Sequence, residues 1–284
     1  MDDERVIEGD GFHWDCAQRT RIMGVLNVTP DSFYDGGRYW DPLTAVRHGQ
    51  RLAEEGADVI DVGGESTRPG AEPVELEEEL RRVIPVIEKL KDRIEQPVSI
   101  DTRKAEVARR AIGAGARMVN DVSGLTADPD MTGTVAAEGV PVVIMHTAGT
   151  PRDMQRNPGY RDTVGEIVEW LDARMTQAVA HGIRRSRIII DPGIGFGKRL
   201  SDNLLLIRSL ASFRQLNRPI LIGPSRKSFI GRVLDAEKDD RMEGTAAAVA
   251  LSVANGASIV RVHDVREMSR VVRMTDAICK ARQA

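Results

Sequence analysis

The residues best suited to chemistry fall at one kind of place in this chain, directly after short apolar runs. The first run ends in Asn27-Val28-Thr29-Pro30-Asp31-Ser32-Phe33. The second holds Asp61 and leads into Gly63-Gly64-Glu65-Ser66-Thr67-Arg68-Pro69-Gly70. Later runs end in Asp101-Thr102-Arg103-Lys104, Asn120-Asp121, Met145-His146, Asp191-Pro192-Gly193, Ser225-Arg226-Lys227-Ser228 and Arg261-Val262-His263-Asp264. Any one of these side chains has a plain structural use, in a loop or at a helix cap. Their recurrence in every unit is what points to a shared site. Three buried carboxylates with two amides nearby would be costly without a partner, and a flat, polar partner rich in N–H donors suits them. Arg261, His263, Lys227, Arg68 and Asn27 offer the opposite chemistry and together suit an anion such as a diphosphate. The alternative pairs those cations with neighbouring carboxylates. Both sets at one mouth suggest a donor-rich ring with a phosphate tail.

Other candidates carry less. Gly193-Ile194-Gly195-Phe196-Gly197-Lys198 fits neither G-x-x-x-x-G-K-[ST] nor G-x-G-x-x-G. Its glycines instead let a loop pass close to a ligand, with Phe196 as an apolar wall. His146 has no second ligand at metal spacing, so a hydrogen-bonded structural role suits it better. No nucleophile elbow or Ser/His/Asp order is present. Cys16 and Cys279 stand near opposite ends in no metal-ligand or disulfide pattern, as ordinary thiols of a cytoplasmic protein would.

The apolar runs read as strands: Arg21–Val28, Asp58–Gly63, Pro97–Asp101, Met118–Val122, Pro141–His146, Arg187–Asp191, Pro219–Gly223 and Ser258–His263. Each is short and nearly all apolar, as strands are when a parallel sheet is covered on both faces. Amphipathic stretches alternate with them: Pro42–Glu55, Glu75–Glu95, Lys104–Ala114, Asp128–Glu138, Thr163–Ala180, Leu200–Gln215, Gly244–Ala254 and Val265–Ala281. Gly56, Gly115 and Gly182 mark helix ends. Eight such units predict an α/β fold, a (β/α)₈ barrel whose strand ends converge on one mouth. The 284 residues match one barrel of roughly 250 residues plus a short extension, with a single domain over 1–284. Residues 1–20, around Gly9-Asp10-Gly11, predict a hairpin capping the barrel.

A net charge of -3 argues against a dedicated nucleic-acid binder. The acidic start, Met1-Asp2-Asp3-Glu4-Arg5, is no signal peptide, and no apolar run approaches the ~18 residues of a membrane span. The expected location is the cytoplasm.

The ordered motifs resemble those of the dihydropteroate synthase family. They are Met23-Gly24-Val25-Leu26-Asn27-Val28-Thr29-Pro30-Asp31-Ser32-Phe33 with Asp35-Gly36-Gly37, and Asp61 to Gly70. Ser99-Ile100-Asp101-Thr102, Asn120 to Gly124, Asp191 to Gly197, Ser225 to Gly231 and Arg261 to Asp264 follow. The resemblance runs from about residue 21 to the end. It implies a transferase that joins 6-hydroxymethyl-7,8-dihydropterin diphosphate to p-aminobenzoate and releases pyrophosphate. It further implies that Asp101, Asn120 and Asp191 hold the pterin ring, with Lys227 on its other side and Met145 and Phe196 as apolar neighbours. Arg261 and His263 would take the diphosphate, and Thr67 and Gly223 would also contact the pterin diphosphate. Asn27 would help hold Mg²⁺. Phe33, Arg68, Pro69, Phe196 and Ser228 would close around p-aminobenzoate. The catalytic set implied is Asp101, Asp191, Lys227, Arg261 and His263. A homodimer through outer helices is also implied.

Thr147-Ala148, Tyr34 and Pro224 depart from the family pattern and affect loop detail. The two loops are otherwise intact, and nothing in them suggests insensitivity to sulfonamides. A folate-dependent methyltransferase domain would keep the pterin contacts but has no reason to keep the diphosphate clamp. A non-catalytic homologue would bind pterin without turnover.

Overall fold

The computed structural model describes residues 5–29, 42–68, 70–150, 152–156, 158–237 and 239–281. A two-stranded antiparallel hairpin, β1 (Val6–Gly9) and β2 (Phe12–Asp15), precedes eight parallel strands. These are β3 (Arg21–Asn27), β4 (Val59–Gly63), β5 (Val98–Asp101), β6 (Met118–Asp121), β7 (Val142–Met145), β8 (Ile188–Asp191), β9 (Leu221–Ile222) and β10 (Ile259–Val262). Their order is β8-β7-β6-β5-β4-β3-β10-β9. A parallel bridge between Ile190 and Ile220 brings the two edges together, so the sheet closes into the expected barrel. Every residue of β4, β5, β6, β7 and β8 is buried, because one face meets the barrel interior and the other meets helices.

Nine described helices surround it: α1 (Pro42–Glu54), α2 (Leu76–Leu90), α3 (Ala105–Ala114), α4 (Met131–Glu138), α5 (Thr163–Ala180), α6 (Leu200–Arg208), α7 (Ser228–Leu234), α8 (Met242–Ala254) and α9 (Val265–Lys280). Their apolar stripes pack on the outward strand residues in one continuous core, which includes Leu26, Ile60, Ile100, Ile144 and Ile190. A separate core fills the barrel itself. There Ile7, Trp14 and Cys16 of the N-terminal segment pack against Met23, Val59, Met118, Val143, Ile189, Leu221 and Ile259. These strand residues precede the polar strand ends, so the hairpin plugs the floor opposite the mouth, as its turn residues predicted.

Four helical segments differ from the sequence reading. The stretch 75–95 ends its helix at Leu90, after which residues 91–93 form turns. The stretch 200–215 is not one helix: α6 ends at Arg208, and Leu210–Leu216 forms 3₁₀ turns. Leu210, Phe213 and Leu216 are all buried, a spacing of three that suits 3₁₀ geometry better than 3.6. α4 begins at Met131 rather than Asp128, because Asp128 is used otherwise. Its Oδ2 accepts the Ala105 N–H (2.8 Å), and its Oδ1 accepts the Asp130 N–H (3.0 Å). α7 was not anticipated. It is a two-turn helix inside a unit that the sequence reading gave only Gly244–Ala254, and α8 itself starts at Met242.

Because Ile7 is fully buried against the floor, Ile7→Ala should lower stability by about 2–5 kcal/mol. Urea unfolding should register this loss. Ligand binding at the mouth by the still-folded protein should be unchanged.

Candidate active site at the barrel mouth

Strand register sets the polar side chains in a ring. Asp101 on β5 is level with Asn120 on β6, and Met145 on β7 is level with Asp191 on β8. Asp61 on β4 sits one step deeper, level with Ser99. Arg261 enters from β10 on the far side. Asp61, Asp101, Asn120 and Asp191 are all buried.

Arg261 joins this ring across the barrel. Its Nε donates to Asp61 Oδ2 (2.7 Å) and its Nη2 donates to Asp101 Oδ2 (2.7 Å). Asn120 Nδ2 donates to the same Asp61 oxygen (2.9 Å). In the ligand-free protein, therefore, Arg261 is an ion-pair partner of two carboxylates. Burial pushes the Asp101 carboxyl up to about 7, with the Arg261 guanidinium pulling the other way. Burial also raises Asp191, against the Lys227 ammonium and the Gly193 N–H, which donates to Asp191 Oδ1 (2.7 Å).

The loop after β8 forms the opposite wall. Gly193 has φ +72°, and a Cβ there would lie 1.9 Å from the His146 carbonyl oxygen, so only glycine fits. Phe196 is half-buried, with the Lys227 ammonium 4.6 Å from its ring centre. Lys227 also donates to the Ile194 carbonyl. Burial lowers Lys227 to about 8. Beneath the loop lies Lys198, 3% exposed, whose Nζ meets His146 Nδ1 (3.0 Å) and the Phe196 carbonyl (3.0 Å). His146 is thus hydrogen-bonded within the fold. Its ring is pushed down to about 3 by burial and by Lys198, so it is neutral and accepts from the ammonium. Lys198 in turn is lowered to about 7 by burial.

The remaining expected residues lie around the rim. His263 is half-buried beside Ser225: the Ser225 hydroxyl and His263 Nδ1 are 3.0 Å apart, and the His263 N–H donates to Ser225 Oγ (3.2 Å). Burial, with Arg261 and Arg226 nearby, pushes the imidazole down to about 3. Gly223 is buried, and a Cβ there would lie 3.6 Å from Arg261 Cβ. Asn27 is half-buried at the end of β3, Thr67 is half-buried, and Arg68 and Ser228 are exposed. The loop bearing Thr67 and Arg68 is anchored by Glu65, which pairs with Arg103 and Lys104 and accepts the Val74 N–H (3.3 Å). Phe33 and Pro69 lie outside the described residues, as does Tyr34.

Four residues belong to this arrangement without a role in the sequence reading. Asp61 was visible as a carboxylate inside an apolar strand. Lys198 was hidden because its partners, His146 and the Phe196 carbonyl, meet it only once the loop folds back. Ser225 and Glu65 sat inside recognised motifs with nothing to separate them from their neighbours.

The pterin binding enzyme family matches residues 23–263. The chain is 46% identical to the dihydropteroate synthase of Synechocystis over 266 residues, 93% of this chain and 92% of that one. It also resembles the solved structure of Xanthomonas albilineans dihydropteroate synthase with 4-aminobenzoic acid. The TM-score there is 0.92 at 45% identity, covering 98% of this chain and 99% of the other. A Yersinia pestis dihydropteroate synthase in a sulfonamide drug complex gives a TM-score of 0.92 at 39% identity, over 97% and 100% of the two chains.

The buried Lys198 makes a pH signature. Its native value of about 7 lies below the ordinary 10.5, so between those values the unfolded chain binds more protons and stability rises with pH. Lys198→Met should flatten that rise between pH 7 and 9, as measured by urea unfolding at a series of pH values.

Proposed function

The chain belongs to the dihydropteroate synthases of the pterin-binding enzyme family, and we propose that its barrel mouth carries their reaction with the residues described above. The activity is that of a transferase: 6-hydroxymethyl-7,8-dihydropterin diphosphate and p-aminobenzoate give 7,8-dihydropteroate and pyrophosphate. One observation carries the assignment of roles. The buried set Asp61, Asp101, Asn120 and Asp191 faces the cations Arg261 and Lys227, with the neutral His263 imidazole beside them as a further donor. Acceptors deep in the barrel and donors at its edge suit a donor-rich ring inserted first, with its diphosphate outward.

Asp101, Asn120 and Asp191 accept from the ring's amino and N–H groups, while Met145 and Phe196 supply apolar contact. Lys227, held against Phe196 and the Ile194 carbonyl, reaches the ring from the other side. Gly223 leaves room beside Arg261 where a side chain would intrude. A Ser225 hydroxyl that donates to His263 Nδ1 leaves the proton of the neutral imidazole on Nε2, as a donor to a diphosphate oxygen. Arg261 completes the clamp with Thr67. Arg68 and Ser228, exposed at the rim, suit the carboxylate end of p-aminobenzoate, and Phe33 and Pro69 are assigned there by resemblance.

The reaction breaks the carbon–oxygen bond to the diphosphate and forms a carbon–nitrogen bond to the neutral aromatic amine, which then gives up a proton. The dihydropterin can delocalise the positive charge that develops on the methylene. Buried carboxylates stabilise that charge, and the cationic rim stabilises the leaving diphosphate. No strong general base is needed.

The donor set suits Mg²⁺ carried by the substrate. Among the described residues no three His, Cys, Asp or Glu side chains cluster to hold a metal, and Asn27 offers one hard oxygen at the mouth. Mg²⁺ commonly takes one or two protein ligands beside substrate phosphates. Bound there, the ion would neutralise charge on the departing diphosphate. For the assembly, a homodimer is supported by apolar side chains exposed on neighbouring outer helices: Leu204, Leu205, Leu251, Met274 and Ile278. Among the described residues no helix is long and apolar enough to cross a membrane, and a cytoplasmic location accords with the reaction.

The direct test is pyrophosphate release from the pterin diphosphate with Mg²⁺. Release in step with added p-aminobenzoate, with dihydropteroate formed, is expected. Pterin binding without release would instead indicate a non-catalytic homologue. Removing Mg²⁺ with a chelator should abolish turnover, and adding it back should restore it; full activity without the metal would rule out its role. The pH profile of kcat/KM should rise through about 7 as Asp101 ionises and fall above about 8 as Lys227 loses its proton. Asp101→Asn should remove the acidic limb and lower kcat by about 10²–10³.

A further inference from the structure

Asp61 belongs to the buried set but is given no ligand contact above, yet two residues that have such contacts bond to it. It is 0% exposed, on β4, below the level of the pterin-facing residues. Asn120 Nδ2 and Arg261 Nε both donate to its Oδ2, at 2.9 and 2.7 Å. Its other oxygen is buried and has no hydrogen-bond partner among the described residues. An oxygen that receives two N–H donors is an acceptor whether or not the carboxyl carries a proton, since the proton would sit on the other oxygen.

This decides which way the Asn120 amide points. A primary amide has a donor end and an acceptor end of nearly the same shape, and only its hydrogen bonds distinguish them. With Nδ2 committed downward to Asp61, Oδ1 is the end left over. Among the described residues nothing donates to that oxygen, and it is not among the fully buried atoms without a partner, so it opens to the mouth. We propose that Asp61 is a positioning residue that fixes the hydrogen-bond polarity of Asn120. The pocket is thereby made to read an N–H donor of the substrate ring at that point rather than a ring acceptor. Resting on the pterin reading of the site, this names what sets its specificity. Asp101, Asp191 and Asn120 then present acceptors together. If the amide were free to turn, a ring donor would meet an amide donor, and the cost would be that of a buried group left unpaired.

Two substitutions separate the idea from a plain counter-charge. Asp61→Leu removes the shared acceptor and leaves the Asn120 amide free to turn. Asp61→Asn removes the charge but keeps an acceptor. Arg261 Nε and Asn120 Nδ2 converge on one oxygen, so the guanidinium holds the oxygen of the introduced amide at that point and Asn120 still donates to it. Titration calorimetry with the pterin diphosphate should find D61L binding about 10–100-fold more weakly, the factor expected for one unmade buried hydrogen bond. D61N should stay within a few-fold of the wild type, with KM for p-aminobenzoate little changed throughout. Undiminished binding by D61L overturns the proposal. So does a D61N variant as weak as D61L, because Asp61 would then act only as a counter-charge. Should D61L fail to fold by thermal melting, D61N decides alone: binding within a few-fold supports the proposal, and a tenfold or greater loss overturns it. A wild-type chain that binds no pterin diphosphate would sink the functional reading itself, and this inference with it.

Discussion

Charge buried without water must be answered by charge or by hydrogen bonds, and the mouth of this barrel is arranged around that requirement. Asp61, Asp101 and Asp191 stand inside an otherwise apolar cylinder, where an unanswered carboxylate is costly. Arg261 answers the first two from across the barrel, and Lys227 acts on the third. The result is a pocket in which each carboxylate is answered by an internal cation before any ligand arrives. A ligand with donors at one end and phosphate at the other can replace those internal pairs in kind. The carboxylates exchange a guanidinium for ring N–H groups, while the guanidinium exchanges carboxylates for phosphate oxygens.

The second requirement is rigidity beneath the reacting groups. Lys198 holds the Phe196 carbonyl and His146 from below, and Gly193 lets the loop lie against the end of β7. The loop bearing Thr67 is held at its base by Glu65, while Glu79 on α2 shares Lys104 and accepts the Thr102 hydroxyl (2.7 Å). These anchors are ion pairs and hydrogen bonds made within the fold. They fix where the described rim residues stand.

Much of this was legible in the sequence, for a physical reason. Strands buried on both faces must be short, apolar and β-branched, and a polar residue among them has to be explained. Asp101, Asn120, Asp191 and Arg261 therefore stood out, and their convergence followed from the barrel. Arg261 shows the limit: its type and place suggested an anion clamp, while its present partners could be known only from register across the closed sheet. Asp61 was visible but unassigned, because its importance lies in sharing one oxygen between partners from distant strands. The break at Arg208 was hidden because buried residues three apart satisfy helical and 3₁₀ patterns alike. α7 was hidden because its first four residues, Ser228 to Gly231, lie inside the Ser225 to Gly231 motif, where a short apolar pair, Phe229 and Ile230, is too brief to show a helical period although both are buried.

The floor plug closes the barrel end opposite the mouth. Among the described residues, Ile7 and Trp14 close the end beneath the strands, so a ligand seated in the barrel would enter and leave at the mouth. Traffic is then last in, first out. With the ring seated deepest, as proposed, its own diphosphate and then the arriving amine would cover it, and the joined product would not back out until whatever lies above it had gone. A through-passage would let each product depart independently. A sealed base instead makes the clearing of the rim a condition for emptying the interior.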